Sequence, residues 1–456
     1  MGTPVTDILN LAGLKAIRVH EEGEEYIIEA ESVGVMAACP ECPPGQGRLY
    51  GHGNQSQSFR DTPMHGKTVR VVVARRRYQC QGCRKTMFEP LAAMDGKRLA
   101  TRRLIDYLHQ HVFRETFAAL ARRVALDEKT VRNVFEDHVA ELETTIRFHT
   151  PRVMGIDELK IVGDYRAVLT NIEQRCLFDL RPSRAKAELL TYFRALPDKT
   201  NIEWVTMDMY HVYRQIVRET LPKARIVVDR FHIQRMANEV LEKMRKRFRK
   251  TLPDRQRLKL KDERHLLLTR QHELTTEGFD RMKAWFQLFP QLGEAHALKE
   301  GFMAIWDSRD RATAEQAWQR WKGNLPSELS DDFKAPITAM TNWHYEIFNY
   351  FENPMTNAYT ESANSLARVM NRMGRGYSFD VIRARMLYDP VARKKGSVVQ
   401  QKAVPVEEVP PMRRITTRFM TADSTTKPRV RHVPEVIEYG AHVPTLERLA
   451  DEGHFD

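Results

Sequence analysis

The segment Arg152-Val-Met-Gly-Ile-Asp-Glu-Leu-Lys-Ile161 sets a carboxylate in the middle of an apolar strand. Taking an unpaired charge out of water is costly, so such a strand keeps Asp157 only where something compensates its desolvation. A cation held jointly with other carboxylates is the usual compensation. Two further acids are placed to share it: Asp208, which closes Glu203-Trp-Val-Thr-Met-Asp208, and Glu361, within Asn357-Ala-Tyr-Thr-Glu-Ser-Ala-Asn364. The alternative for Asp157 alone is a strand-end Asp bonded to loop amides. Glu158 falls on the opposite strand face by alternation and is not counted as a ligand.

Around Asp157 the pattern predicts three successive strands at about 153–161, 165–173 and 175–181. A helix at 185–196, a strand at 202–208, a helix at 211–221 and a strand at 224–229 follow. Three antiparallel strands passing into alternating helix and strand give the order of a ribonuclease-H-like α/β sheet. In it Asp157 lies on the first strand and Asp208 ends the fourth, and neighbouring strands bring the two together. Residues 235–350 are helix-rich, and Leu241 to Arg270 holds 12 Lys and Arg against 4 Asp and Glu. That run either grips phosphates through Arg245, Lys246, Arg247, Arg249 and Lys250 or is a solvated helical face. Trp285, Trp306, Trp318, Trp321 and Trp343 read mostly as core anchors, with one able to stack on an unpaired base. After the break at Asn353-Pro-Met-Thr, Ala358 to Met373 reads as a helix with Glu361, Asn364, Ser365 and Arg368 on one face. Arg372 lies one turn beyond.

Upstream, Leu14 to Val33 reads as a hairpin around an acidic Gly turn. Cys39-Pro-Glu-Cys42 and Cys80-Gln-Gly-Cys83 are two CxxC knuckles with 37 residues between them. Four thiolates in this arrangement suit tetrahedral structural Zn²⁺, and a structural site leaves no open position for chemistry. His52 and His65 are lesser candidates, and Cys176, in an apolar strand, reads as core. Between the knuckles, Lys67 to Tyr78 alternates as a strand, so the whole resembles a zinc ribbon. Its Arg75, Arg76 and Arg77 either meet phosphates or form a solvated strand edge. Residues 101–146 then show helical periodicity in three segments. The joint Val124 to Val131, with Asp127 as N-cap, resembles the turn of a helix-turn-helix. That turn would open a recognition helix carrying Lys129 and Arg132.

The net charge of +12 and the pI near 9.4 favour a polyanionic partner. No apolar run reaches the length of a membrane span, and the N-terminus has no basic-then-apolar leader, which points to a soluble cytoplasmic protein. Gly2 with Thr6 fits a myristoylation pattern only superficially. Beyond Pro390 the chain turns basic and proline-rich, so a largely disordered tail is expected, closed by a short helix from Thr445.

From about residue 35 to 390 the order resembles the ISL3 family of insertion-sequence transposases, which carry a zinc ribbon, a helix-turn-helix and a DDE catalytic core. The most specific pieces are Gly155-Ile-Asp157-Glu, the run Ala224 to His232, and Asn357-Ala-Tyr-Thr-Glu361 followed by Asn364. On that resemblance Asp157, Asp208 and Glu361 match the catalytic triad, and Asp229 with His232 matches a D-x-x-H motif. The 152 residues between Asp208 and Glu361 fit an all-helical insertion. Three such carboxylates can hold two Mg²⁺ or Mn²⁺ ions for DNA cleavage and strand transfer at one site. The partners implied are double-stranded DNA, as terminal inverted repeats and target, with homo-oligomers assembling on it in association with the nucleoid. Residues 1–95 are expected to form the hairpin and ribbon, and 96–148 the helix-turn-helix. The catalytic core is expected at 149–250 and 351–390, the insertion at 251–350 and the tail at 391–456. Two other functions fit parts of the chain: a zinc-ribbon and helix-turn-helix regulator, or a ribonuclease-H-like nuclease without strand transfer.

Overall fold

The computed structural model describes residues 9–389 other than 35, 44 and 375, together with the backbone of 398–400. The rest of the expected tail, including the helix from Thr445, lies outside the described residues.

Strands β1 (Leu14–Glu22) and β2 (Glu25–Ser32) form the expected antiparallel hairpin. Strands β3 (Leu49–Met64), β4 (Lys67–Cys80) and β5 (Thr86–Phe88) form the ribbon. Because β2 pairs in parallel with β4, hairpin and ribbon make one five-stranded sheet. Alternation along β4 sends Val69, Val71 and Val73 into a small core with Leu14, Ile28 and Phe59.

Three helices follow: α1 (Arg102–His111), α2 (Phe117–Val124) and α3 (Glu128–Thr145). Thr101, Thr116 and Asp127 cap them, each side-chain oxygen accepting from a backbone N–H of the first turn. Ala125, in the left-handed region at φ 52°, ends α2 and reverses the chain within three residues of the α3 start.

After the short β6 (Ile146–Phe148) come β7 (Val153–Ile161), β8 (Asp164–Asn171) and β9 (Cys176–Arg181). Helix α4 (Lys186–Ala195), β10 (Trp204–Met207), α5 (His211–Thr220) and β11 (Arg225–Val228) complete the sheet layer. The strand order is β11-β10-β7-β8-β9, with β7, β10 and β11 parallel and β7 to β9 antiparallel.

Helix α6 (Arg230–Arg249) starts at the sheet and runs without a break into a helical region. That region comprises α7 (Asp254–Asp262), α8 (Arg264–Leu268), α9 (Thr276–Leu288), α10 (Pro290–Met303), α11 (Arg311–Gly323), α12 (Lys334–Asn342) and α13 (His344–Phe348). The five tryptophans read as anchors are all buried in it, Trp318 stacking on Trp321 with ring centroids 5.4 Å apart. Helices α14 (Ala358–Met373) and α15 (Phe379–Tyr388) return to the sheet, and β12 (Val398–Gln400) pairs with β6. No helix among the described residues is long and apolar enough to cross a membrane.

The two faces of the sheet bury different partners. Met154, Ile156, Val205 and Met207 pack with α4, α5, α6 and the helical region in one continuous core. Leu159, Ile161, Val168 and Leu180 face the other way, onto α14, α15 and the α1–α3 bundle. The bundle therefore shares its core with the sheet. Arg385 of α15 fixes that join: it is buried, donates to the carbonyls of Phe113 (3.3 Å) and Glu115 (2.7 Å), and lies over the Phe117 and Tyr377 rings. On the far side Glu346 of α13 is buried against Arg214 and Arg218 of α5, accepting at 2.6 and 2.8 Å from Arg214 and 2.8 Å from Arg218. Removing one member leaves an uncompensated buried charge. Glu346→Ala is expected to destabilise the protein by about 3–5 kcal/mol, read as a lowered urea midpoint, with little effect from the exposed Lys243→Ala.

Candidate active site

The register of the parallel strands builds the site. Ile156 pairs with Met207, and Met207 with Val228, so the next residues, Asp157, Asp208 and Asp229, stand side by side across three strands. Ile156, Met207 and Val228 all point into the core on one face, so by alternation the three acids point to the face that α14 covers. Glu158 points the other way and is taken by Arg184 at 2.6 Å, as the alternation predicted.

Helix α14 is laid across β7 by a close contact. A Cβ on Gly155 would fall 2.4 Å from Thr170 Oγ1 and 2.5 Å from Thr360 Oγ1, so only glycine lets the helix approach this far. Those two hydroxyls share a buried hydrogen bond of 2.7 Å. One turn on, Asn364 Nδ2 donates to Asp157 Oδ2 at 2.7 Å, and the Glu158 backbone N–H donates to Oδ1. Asn357, at the α14 start, donates through its side chain to the Ile156 carbonyl and through its backbone N–H to Asp229 Oδ2 at 2.9 Å.

The other Asp229 oxygen accepts from Phe231 N–H and caps α6. Both of its oxygens thus fix the helices that carry His232 and Glu361. His232 Nε2 stands 2.9 Å from Asp208 Oδ1 and 3.7 Å from Glu361 Oε1. The Asp208 carboxylate raises the His232 pKa against the opposing effect of burial. Burial, and then the charge of Asp208, push Asp157 up to about 6. The three acids of the expected triad do not close on one point. The tightest group of possible ligand atoms here is Asp229, His232 and Glu361, within 4.8 Å of one another. His232 occupies the gap between Asp208 and Glu361. Carboxylate oxygens in this number fit a hard divalent cation. Glu361 is on the exposed side and has the rotamer freedom to join it.

At the other end of the chain Cys39, Cys42, Cys80 and Cys83 form the second cluster. Cys39 and Cys83 sulfurs are 3.7 Å apart, as are those of Cys42 and Cys80. Zn–S bonds of about 2.3 Å set tetrahedral sulfurs roughly 3.8 Å apart, so the cluster is already the size of the ion's shell. Burial, with the adjoining sulfurs, pushes Cys42 up to about 12, while the backbone N–H groups of Cys83 and Gly82 bring Cys80 down to about 7. Cys176 is buried in the sheet, as expected.

Residues 154–386, more than half of the chain, match a family described as Transposase. The chain belongs to the ISL3 family of transposases. Residues 36–83 match the zinc-finger of transposase IS204/IS1001/IS1096/IS1165, which with the four-sulfur cluster supports structural zinc. The transposase for insertion sequence element IS1001 of Bordetella parapertussis is 23% identical over 370 residues, spanning 78% of this chain and 89% of its own.

The basic residues of this transposase divide into free and engaged. Lys129, Arg77, Lys246, Arg247, Lys250, Arg368 and Arg372 are exposed, although Lys246 reaches Glu242 and Arg247 reaches Asp332. Arg249 is half-buried, and Arg132 lies over the Phe117 ring and bonds Glu128 at 3.2 Å. Arg75 and Arg76 turn back onto the ribbon, bonding the carbonyls of Glu89 and Ser32. Arg245 corrects the expectation of a phosphate contact: it is buried, bonded to both oxygens of Glu242 and to the Leu260 carbonyl, so its guanidinium faces the protein interior and not DNA. The rest of that cluster sits roughly 21–27 Å along α6 from His232 at about 1.5 Å per residue, away from the site.

Arg235 lines the cleft of Asp157, Asp208 and His232 and was not singled out from the sequence. Its position one turn after His232 on α6 is the signal that places it there.

Cys39→Ser or Cys80→Ser is expected to remove about one zinc per chain by elemental analysis and to unfold the ribbon while the sheet domain keeps its melting transition. Gly155→Ala is expected to cost about 1–3 kcal/mol in urea unfolding and to lower cleavage out of proportion, because the helix carrying Glu361 must move off β7.

Proposed function

We propose that this transposase is a DDE enzyme with a ribonuclease-H-like core, which binds the ends of its insertion sequence and carries out metal-dependent DNA cleavage and strand transfer. The observation that supports this most is the register Ile156, Met207, Val228, with Asp157, Asp208 and Asp229 directly after it under the helix of Glu361. The relative's name, a transposase for an insertion sequence element, supports the same reading.

On this reading Asp157, Asp208 and Glu361 hold the catalytic cations, and Asp229 is a positioning residue. Divalent ions of the Mg²⁺ or Mn²⁺ type, when bound, supply the activation of a water or 3′-hydroxyl and the stabilisation of the leaving oxygen. The chain's own part is to hold the acids. Asn364 and the Glu158 N–H fix the Asp157 rotamer, so its oxygens need no reordering as substrate enters. His232 holds a proton between Asp208 and Glu361 and screens them from each other. Arg235 lies where a phosphate entering the cleft passes. The α1–α3 bundle acts as the helix-turn-helix, with Lys129 on its recognition helix, and the ribbon steadies DNA through Arg77. Arg368 and Arg372 continue the exposed basic face of α14 beyond Glu361. Double-stranded DNA is the substrate, in assemblies of more than one copy.

Asp157→Asn, Asp208→Asn and Glu361→Gln are each expected to lower nicking of end-containing DNA by on the order of 10²–10³ or more, with end binding retained in gel shifts. Nicking near the wild-type rate by any one of them would exclude that residue from the site. Cleavage without strand transfer in the same assay would assign the chain to hydrolysis alone.

A further inference from the structure

A second cleft of about 400 Å³ adjoins the catalytic cleft, and the two share Arg235 in their lining. It opens between the first turns of α6 and the helical region, with Arg230, Phe231, Asn238 and Trp306 also lining it. Its interior and its rim differ in chemistry. Inside, Trp306 is 6% exposed and its indole N–H has no partner among the described residues; the side-chain oxygen of Asn238 is likewise buried and unpartnered. A buried donor and a buried acceptor left unpaired are each costly, and both belong to residues that line one small cleft. At the rim Arg230 lies over the Tyr350 ring and Arg235 reaches Glu239 at 3.6 Å, a longer contact than those that match Arg270 to Glu300 and Asp307, and Glu273 and Asp307 also line the cleft. Phe231, next in sequence to His232, leaves 54% of its surface exposed.

A neutral interior offering one donor and one acceptor, an exposed ring and guanidinium groups outside together describe a ligand that is planar, polar at one edge and joined to phosphate. We infer that this cleft receives a single nucleobase swung out of the DNA strand that passes through the catalytic site, with its edge on Trp306 and Asn238, its face on Phe231 and its flanking phosphate at Arg235. The inference rests on the proposed cleavage of DNA at the neighbouring site. Extruding a base loses its pairing and stacking, and stacking on an aromatic side chain with edge hydrogen bonds offsets that loss. Its use to the reaction is positional: an extruded base fixes which phosphodiester lies over the acids and opens the duplex beside it.

The test uses the full chain carrying Asp157→Asn, bound to end DNA in which 5-iodouracil replaces the base at each position around the cleavage point in turn. Irradiation is expected to crosslink one position to Phe231 or Trp306, identified by mass spectrometry of the peptide. In parallel, Phe231→Ala and Trp306→Phe, in the otherwise wild-type chain, are expected to cleave fully paired ends about tenfold more slowly, the scale of losing the stacking contact in the first and an edge hydrogen bond in the second. That deficit should shrink when the same position is mismatched, because the base is then already free. Crosslinks from no position to this cleft overturn the inference, and so does an equal deficit on paired and mismatched ends, which marks a merely structural role. Wild-type nicking by Asp157→Asn would instead overturn the catalytic assignment, while the crosslink in that variant still decides the occupant of the cleft.

Discussion

The structure turns on a row of carboxylates that hydrogen-bond register alone holds together: Asp157, Asp208 and Asp229 follow three mutually paired residues on parallel strands and face one way. Such a row is unfavourable by itself, because burial and mutual repulsion oppose ionisation, as the raised pKa of Asp157 shows. Each acid has a separate local answer. Asp157 is bonded by Asn364, Asp208 faces His232, and Asp229 accepts two backbone N–H groups. Two of those answers depend on α14, so the helix that brings Glu361 is also part of what makes the other acids tolerable. Gly155, without a side chain, is what allows that helix to lie so close.

The same sheet couples the parts of the chain that differ in kind. One face continues into the core of the helical region through α6, and the other continues into the α1–α3 bundle through α15. The ribbon is tied on in turn, since Asp61 of β3 is buried and accepts from Thr101 at 2.6 Å and from Arg103 of α1 at 2.8 Å. Elements suited to hold DNA are thus bonded to the sheet that carries the acids, and displacement of the bundle is resisted by the charged contacts of Arg385 and Arg383. On the proposed function, that arrangement would link the acids to the elements that bind a DNA end.

How much of this was legible in the chain depended on the range of the interaction. Strand alternation exposed the anomaly of Asp157, CxxC spacing exposed the four-sulfur cluster, and Asp127 announced a helix start that its bond to Thr130 N–H bears out. Helix and strand limits fell within a few residues of expectation from 153 to 229 because periodicity there is local. The positive run after Leu241 was legible as charge but not as geometry. Whether a guanidinium faces solvent or, like Arg245, lies buried against Glu242 depends on helix rotation against α7, which composition does not encode.

The sequence by itself determined which residues could carry chemistry: acids inside apolar strands, paired cysteines, and the order of strands and helices around them. Tertiary structure alone decided how they meet. His232 reaches Asp208 and Glu361 because register, the cap at Asp229 and the packing of Thr360 on Gly155 bring together residues up to about 200 positions apart. The physical reason is that periodicity and spacing report contacts within one element. Distances between elements come from side-chain packing, where a single Cβ at residue 155 would be enough to move a helix.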